Sequence, residues 1–434
     1  MRKSIWEVET KLPEFKKLNG DIKTDVLIIG GGMCGILCAY FLQKQGVDYV
    51  LAEGGRIASG ITKNTTAKIT SQHGLIYNKI IKSYGREYAK MYLEANEKAI
   101  KIYKKLSESF DFDYEEKKAY TYSLYDSKRI EDEVRVVNDL GFPAQLQHDL
   151  ELPFETMGAV CFPGQAQFNP LKFICAVAEN LNIYENTFIK EINDHVAVGD
   201  GFTIKAKKII VATHFPFINK HGAYFLKLYQ HRSYVSAYKN IPVIDGMYVD
   251  EDKKGMSFRS YKDYVLVGGG GHRTGKQGGA WGEIDGFQKK HFPKAQLCYQ
   301  WATQDCMSLD GIPYIGNYSA STPDLYVAAG FNKWGMTSSM VSALVLKDMV
   351  MDRKNDFEEV FNPSRSILKP QLFANGAETS VNLLFPATRR CSHLGCALKW
   401  NRAEHTWDCA CHGSRFDKSG KVINNPAIRN IDNV

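Results

Sequence analysis

The chain has 434 residues, enough for two or three domains. It is 44% hydrophobic and 24% charged, with 36 Gly and 14 Pro, which buries a large core and excludes a disordered, collagen-like or low-complexity chain. The net charge of +7 is too mild and diffuse to argue for nucleic acid, but nine Lys/Arg stand against five Asp/Glu from Ser366 onward, so +4 of it lies in the tail. That excess reads as a solvated surface or as a docking face for an acidic partner.

No apolar run approaches the ~18 residues of a membrane span, and the opening segment Met1–Phe15 lacks the apolar stretch of a secretory signal. A cytoplasmic protein is expected. In chain order, Asp25–Ile29 is a short β-branched strand, followed at once by Gly30-x-Gly32-x-x-Gly35. The helix-like run Ile36–Gln45 comes next, then a second strand, Val47–Ala52, ending on Glu53. In such a βαβ unit the first glycine permits the tight turn, the second lets backbone N–H groups approach a pyrophosphate, and the third allows close helix–strand packing. The helix N-terminus faces the anion, and a carboxylate at Glu53 suits ribose hydroxyls.

Glu87–Leu106 places Tyr88, Tyr92, Ala95, Ala99, Ile102 and Leu106 on one stripe of a long amphipathic helix. From Gly141 to Gln304 short β-branched runs alternate with turns, including strands at Lys208–Thr213 and Tyr264–Val267. Gly268–His272 follows a strand but lacks the third glycine and an apolar helix. It reads as a tight turn near a site, which leaves one dinucleotide fingerprint in the chain. Asp324–Ala329 is a further strand, Gly330–Gly335 a glycine-bounded loop and Met336–Met349 a helix. Residues 366–388 read as a connector with a short helical or irregular stretch.

Several of these segments together resemble the FAD-dependent oxidoreductases of the D-amino-acid oxidase and glycine oxidase superfamily. They are Gly30–Gly35 with Glu53, Gly60–Gly74, Val211–Pro216, Asp310–Gly316 and Ala329–Gly335. The resemblance spans residues 20 to 365. It implies an α/β fold: a Rossmann-like FAD-binding domain assembled from several segments, with a β-rich substrate domain inserted. It places Thr65, Thr66 and Lys68 along the pyrophosphate and flavin and Thr213 in the second FAD segment. Gly330, Gly335 and the helix N-terminus at Met336 would then face the flavin pyrimidine ring, where a helix dipole stabilises negative charge.

Six cysteines (Cys34, Cys38, Cys161, Cys175, Cys298 and Cys306) are scattered singly, as small buried thiols are. The other four crowd into the tail as Cys391-Ser-His393-Leu-Gly-Cys396 and Cys409-Ala-Cys411-His412-Gly-Ser414. Cys391, His393, Cys409 and His412 match the two-Cys, two-His ligand set of a Rieske [2Fe–2S] cluster. A tetrahedral zinc site is the alternative, which six candidate ligands in two glycine-containing loops fit less well. The resemblance to the Rieske family implies a disulfide between Cys396 and Cys411 and a Ser414 hydrogen bond to a cluster sulfide. Phe416 stands where high-potential members have Tyr, which implies a lower potential. The module is short and is expected to lean on the flavoprotein body. The expected division is residues 1–365, a linker 366–388, and a small all-β Rieske module at 389–434.

These readings point to an FAD-dependent oxidoreductase. A hydride would leave the carbon beside nitrogen in an amine or amino acid for the flavin, and electrons would then pass singly through the cluster to an external acceptor. Lys68, Arg259, Tyr261, His272 and Trp334 are the substrate-side candidates. The alternatives are a flavin/Rieske reductase feeding a partner protein and a non-enzymatic redox sensor. An oxygenase would need a mononuclear iron held by two His and a carboxylate, and the remaining histidines include no close pair with a nearby acid.

Overall fold

The strand Ile22–Ile29 alternates its side chains between two cores. Val26 and Ile28 join the cluster formed by the helices Met33–Lys44 and Gly335–Val350, while Leu27 and Ile29 pack with Val50, Val211 and Val327 on the other face. A strand buried on both faces belongs in a parallel sheet between layers. The computed structural model, which describes residues 3–252 and 255–431, shows this arrangement. The sheet runs Tyr314–Asn317, Leu325–Ala329, Phe202–Val211, Ile22–Ile29, Tyr49–Ala52, Ile183–Tyr184, and all neighbours are parallel except the first pair. Val196–Gly199 adds antiparallel to Phe202–Val211 and pairs in turn with Glu191–Asn193.

The second sheet has nine strands drawn from the intervening chain, ordered Gln296–Met307, Tyr229–Lys239, Tyr264–Arg273, Ser257–Tyr261, Met247–Asp250, Glu115–Ser123, Gly158–Gln167, Lys68–Ile69, with Gln145–Gln147 paired to Gly158–Gln167. This is the inserted β-rich unit. The third sheet, Leu398–Asn401, Thr406–Cys409, Arg415–Phe416 and Val422–Asn424, is a small antiparallel meander at the C-terminus.

Three expectations are corrected. Gly268–His272 is not a turn: the strand Tyr264–Arg273 runs through it, paired to Tyr229–Lys239 with an irregularity between Arg232 and Tyr234. Its glycines serve close packing, since a Cβ on Gly270 would lie 2.0 Å from the Ala280 carbonyl oxygen. The long helix is present as Arg86–Ser107, but its buried stripe is Ala89, Tyr92, Asn96, Ala99 and Tyr103, which leaves Tyr88, Ile102 and Leu106 at the margin. Within 366–388 the chain forms a four-turn helix, Pro370–Leu384, longer than the expected short stretch.

Candidate functional site

The strand end at Ile29 and the helix start at Met33 leave the turn Gly30–Gly32 facing a cavity of about 1900 Å³. A side chain on Gly30 would place its Cβ 2.6 Å from the Ala212 carbonyl oxygen, and one on Gly35 1.9 Å from that of Gly30. Both positions therefore require glycine. The Glu53 carboxylate accepts hydrogen bonds from the Gly31 N–H at 2.6 Å and the Gly55 N–H at 2.7 Å. Thr65, Thr66, Lys68, Thr213, Gly335 and Met336 line the same cavity. Gly35 and Gly330 lie behind it, Gly330 against Leu228 and Ser308. A glycine cradle at a helix N-terminus, an acid beside it and a cavity of this size fit a dinucleotide with its flavin.

Among the substrate-side candidates, Lys68, His272 and Trp334 line the cavity. The Lys68 side chain has no hydrogen bond or ion pair to another described residue, and burial, reinforced by Arg259, brings its amino group down to about 7. Trp334 stacks on His73 with ring centroids 5.0 Å apart, and His73 bonds the Tyr92 hydroxyl at 2.6 Å. His272 bonds the Tyr234 hydroxyl at 3.0 Å. Arg259 and Tyr261 are elsewhere. The Arg259 guanidinium donates to the carbonyls of Thr66 and Ala67 at 2.6 and 2.8 Å and lies over Trp6, clasping the cofactor loop from behind. The Tyr261 hydroxyl is held by Glu9 and Asp113, each at 2.6 Å.

The sequence reading missed Asp305, Lys333, His231 and Ser233, which also line the cavity. Asp305 stands opposite His231 across two paired strands and accepts from the Ser233 hydroxyl at 3.1 Å. Lys333 sits in the glycine-bounded loop. Among the described residues no ion pair joins it to Asp305, though each feels the other's charge. Desolvation raises the Asp305 carboxyl and lowers the Lys333 amino group, whose side chain is open to the cavity. The buried His231 Nδ1 has no hydrogen-bond partner. Strand alternation gave no clue to which face these residues take.

In the tail, Cys391 and Cys409 lie within thiol hydrogen-bonding reach, and the His393 and His412 rings approach to 5.0 Å at 87°. The Nδ1 atoms of both rings and Nε2 of His412 are buried without a partner. Two thiols converging beside two imidazoles whose Nδ1 atoms have no partner are the donor set of a two-iron cluster with mixed ligation, and the residues fit that group. The Ser414 hydroxyl lies beside Cys391 and accepts from the Ala427 N–H at 3.0 Å. Phe416 is fully buried in the module core. The expected Cys396–Cys411 disulfide is absent: all ten cysteines are free thiols, and the Sγ atoms of Cys396, Cys409 and Cys411 crowd within 4.8 Å of one another. Cys396 hydrogen-bonds to both Cys409 and Cys411, so its thiol is shared rather than paired with one sulfur.

The module rests on the flavoprotein body. Gln230 donates to the His412 carbonyl at 2.9 Å and the Asn425 carbonyl at 3.1 Å, and Gln304 donates to the Gly413 carbonyl at 2.8 Å. Asn425 donates to the carbonyls of Thr213 and Phe215 at 2.6 and 2.8 Å, and His393 Nε2 bonds Asn219 at 3.1 Å. Arg232 from the inserted sheet and Arg415 from the module share Glu404, with Asp408 completing a buried network. Glu404, Arg415 and Lys421–Asn425 form part of the cavity wall.

The family described as FAD dependent oxidoreductase matches residues 25–349, and the Rieske [2Fe-2S] domain matches residues 379–434. YhfW of Bacillus subtilis, named as a Rieske 2Fe-2S iron-sulfur protein, is 34% identical over 99% of this chain and 97% of its own length. The cytochrome b6-f complex iron-sulfur subunit 1 of Nostoc is 49% identical over 41 residues, 9% of this chain and 23% of that subunit. Glycine oxidase from Geobacillus kaustophilus superposes with a TM-score of 0.68 at 19% identity, covering 80% of this chain and 99% of that one. L-proline dehydrogenase from P. horikoshii follows at 0.66 and 18%, covering 80% of this chain and 98% of that one. No helix among the described residues is long and apolar enough to cross a membrane.

Proposed function

Because the chain belongs to the FAD dependent oxidoreductase family and carries a Rieske [2Fe-2S] domain, we propose that it oxidises an amine or amino acid and passes the electrons through the cluster to an external acceptor. The observation that carries this reading is the contact between the two sites. Gln230 and Asn425 tie the His412 loop to the segment Thr213–Phe215, of which Thr213 and His214 line the flavin cavity. Residues 1–365 act as the flavoprotein, 366–388 as the connector and 389–434 as the cluster module.

Gly30, Gly32, Gly35, Glu53, Thr65, Thr66, Lys68, Thr213, Gly330, Gly335 and Met336 hold the FAD, and Cys391, His393, Cys409 and His412 hold the cluster. When bound, a flavin takes up two electrons with the substrate's hydrogen, and a Rieske cluster takes them one at a time. The chain's own contribution is recognition and orientation. Asp305 accepts from the substrate's nitrogen, with Ser233 fixing the carboxylate, and Lys333 holds an acidic group on the same molecule. An acid and a base that face one cavity without pairing are left free to bind the opposite charges of a zwitterion. The amino-acid enzymes among the solved neighbours favour the same substrate class. Trp334, backed by His73, forms an apolar wall that limits water.

Anaerobic mixing with a panel of amino acids and alkylamines tests the reading: one class bleaches the flavin, and bleaching by none of them contradicts it. For the reactive compound, Asp305→Asn and Lys333→Met each raise KM about 10–100-fold, the worth of one charge-assisted hydrogen bond of roughly 1.5–3 kcal/mol. Steady-state kinetics check this; an unchanged KM removes these residues from the binding site.

A further inference from the structure

The helix Pro370–Leu384 is packed inside out. Phe373, Ala377, Val381 and Leu384 recur at the spacing of one helical stripe, and that stripe faces solvent. Phe373 is 71% exposed, Val381 61% and Leu384 84%, with Leu368 (75%) and Phe385 before and after. The polar side is turned inward. Asn375 accepts from Arg273 at 2.9 Å, Glu378 pairs with Lys276, and the buried Asn382 side chain donates to the Glu378 carboxylate at 2.9 Å. Solvent alone gives no reason for this arrangement, because large apolar side chains gathered on one exposed face mark an interaction surface.

Charge identifies the occupant. The stripe carries no charged residue, and basic residues flank it at both ends: Lys369 before the helix, Arg389 and Arg390 after it. Three of the tail's five acids are drawn inward, Glu378 to Lys276 and Glu404 and Asp408 to buried arginines, so the surface is more basic than the composition. A second copy of this chain fits poorly. Antiparallel pairing of two such helices sets Lys369 against Arg389 and Arg390, parallel pairing sets each base against itself, and neither supplies an acid. The apolar tips project from a convex helix rather than lining a groove.

We propose that this face docks on an anionic lipid bilayer surface, with Phe373, Val381 and Leu384 seated among the headgroups and Lys369, Arg389 and Arg390 against the lipid phosphates. Helices that lie in the membrane interface combine an apolar face with basic flanks in this way. The Asn382–Ala397 hydrogen bond joins this helix to the segment that follows the His393 loop, in which Leu394 is also exposed.

Sedimentation of the holoprotein with vesicles tests the proposal. One set is phosphatidylcholine alone and the other equal parts phosphatidylcholine and phosphatidylglycerol. The wild type pellets with the anionic vesicles at least about tenfold more than with the neutral ones, and high salt weakens the binding. Phe373→Ser/Leu384→Ser abolishes it with unchanged thermal melting, whereas Tyr125→Ser, at an exposed aromatic remote in sequence, leaves it intact. Three results overturn the proposal: no binding by the wild type, binding unaffected by the double variant, or light scattering that shows a dimer dispersed by that variant.

Discussion

Glu404→Gln lowers the unfolding free energy by about 3–5 kcal/mol, the cost of removing one partner from a buried ion network. The carboxylate bridges Arg232, which donates through Nε at 2.9 Å, and Arg415, which donates at 2.8 Å, and all three side chains are nearly fully buried. Arg415 keeps Asp408 at 3.0 Å, but among the described residues Arg232 has no second ion pair. The variant therefore leaves a guanidinium stranded at the junction between the inserted sheet and the tail module. Urea titration followed by cluster absorbance should show the module released before the flavoprotein body unfolds. The pH dependence has a fixed sign. Burial pushes the Glu404 carboxyl up, but Arg232 and Arg415 outweigh it and hold the group below its ordinary value of 4.5. Its contribution is thus complete above about pH 4.5 and lost as the pH falls further. Wild type and variant should converge in acid; a constant gap down to acid pH would contradict the assignment.

Cys409→Ser removes the cluster and most of the module's stability together. The module core has eight fully buried members, and four are Cys391, Cys396, Cys409 and Cys411. Leu398, Phe416, Ala427 and Ile431 supply the rest, too little for a four-stranded sheet to stand alone. When thiols form half of a core and two of them, Cys391 and Cys409, hold the metal, metal binding free energy is folding free energy. Turnover with a one-electron acceptor should fall by more than the roughly 10–100-fold that loss of an outer-shell partner costs. Flavin reduction by substrate continues, because the glycine cradle lies on another sheet. Rapid cleavage by protease after residue 365, with the flavoprotein body retained, is the accompanying result. A variant with no iron but an intact, protease-resistant tail would contradict this account.

The parts of the molecule legible in sequence are those whose chemistry is local. Gly30, Gly32, Gly35 and Glu53 announce a nucleotide turn because a pyrophosphate needs bare backbone there, and the Cys/His loops announce a metal because four thiols seldom crowd otherwise. What depends on pairing across the chain was hidden. Arg232 and Glu404 are 172 positions apart, and neither carries a local signal. Arg259 and Tyr261 sit on the same strand as plausible site residues, but the register turns them toward the cofactor loop's carbonyls and toward Glu9 and Asp113. Asp305 and Lys333 approach one cavity only through a strand and a distant loop. The Gly268–Gly271 run imitates a turn in composition while its neighbours demand a strand. The helix Pro370–Leu384 contains Asn375, Gly376 and Asn382, which weaken helix propensity, yet the Arg273 bond to Asn375 ties it to the body and Asn382 bonds back to the Glu378 carbonyl.

The most direct test of the central claim is freeze-quench EPR of anaerobic holoprotein after a light pulse that reduces the flavin, with deazaflavin and EDTA as electron source. The contacts through Gln230 and Asn425 predict that the cluster signal, of low average g, grows as the flavin reoxidises, at a first-order rate independent of protein concentration. A rate that scales with concentration, or a reduced flavin that persists beside an oxidised cluster, would show that the two centres do not exchange electrons within one chain.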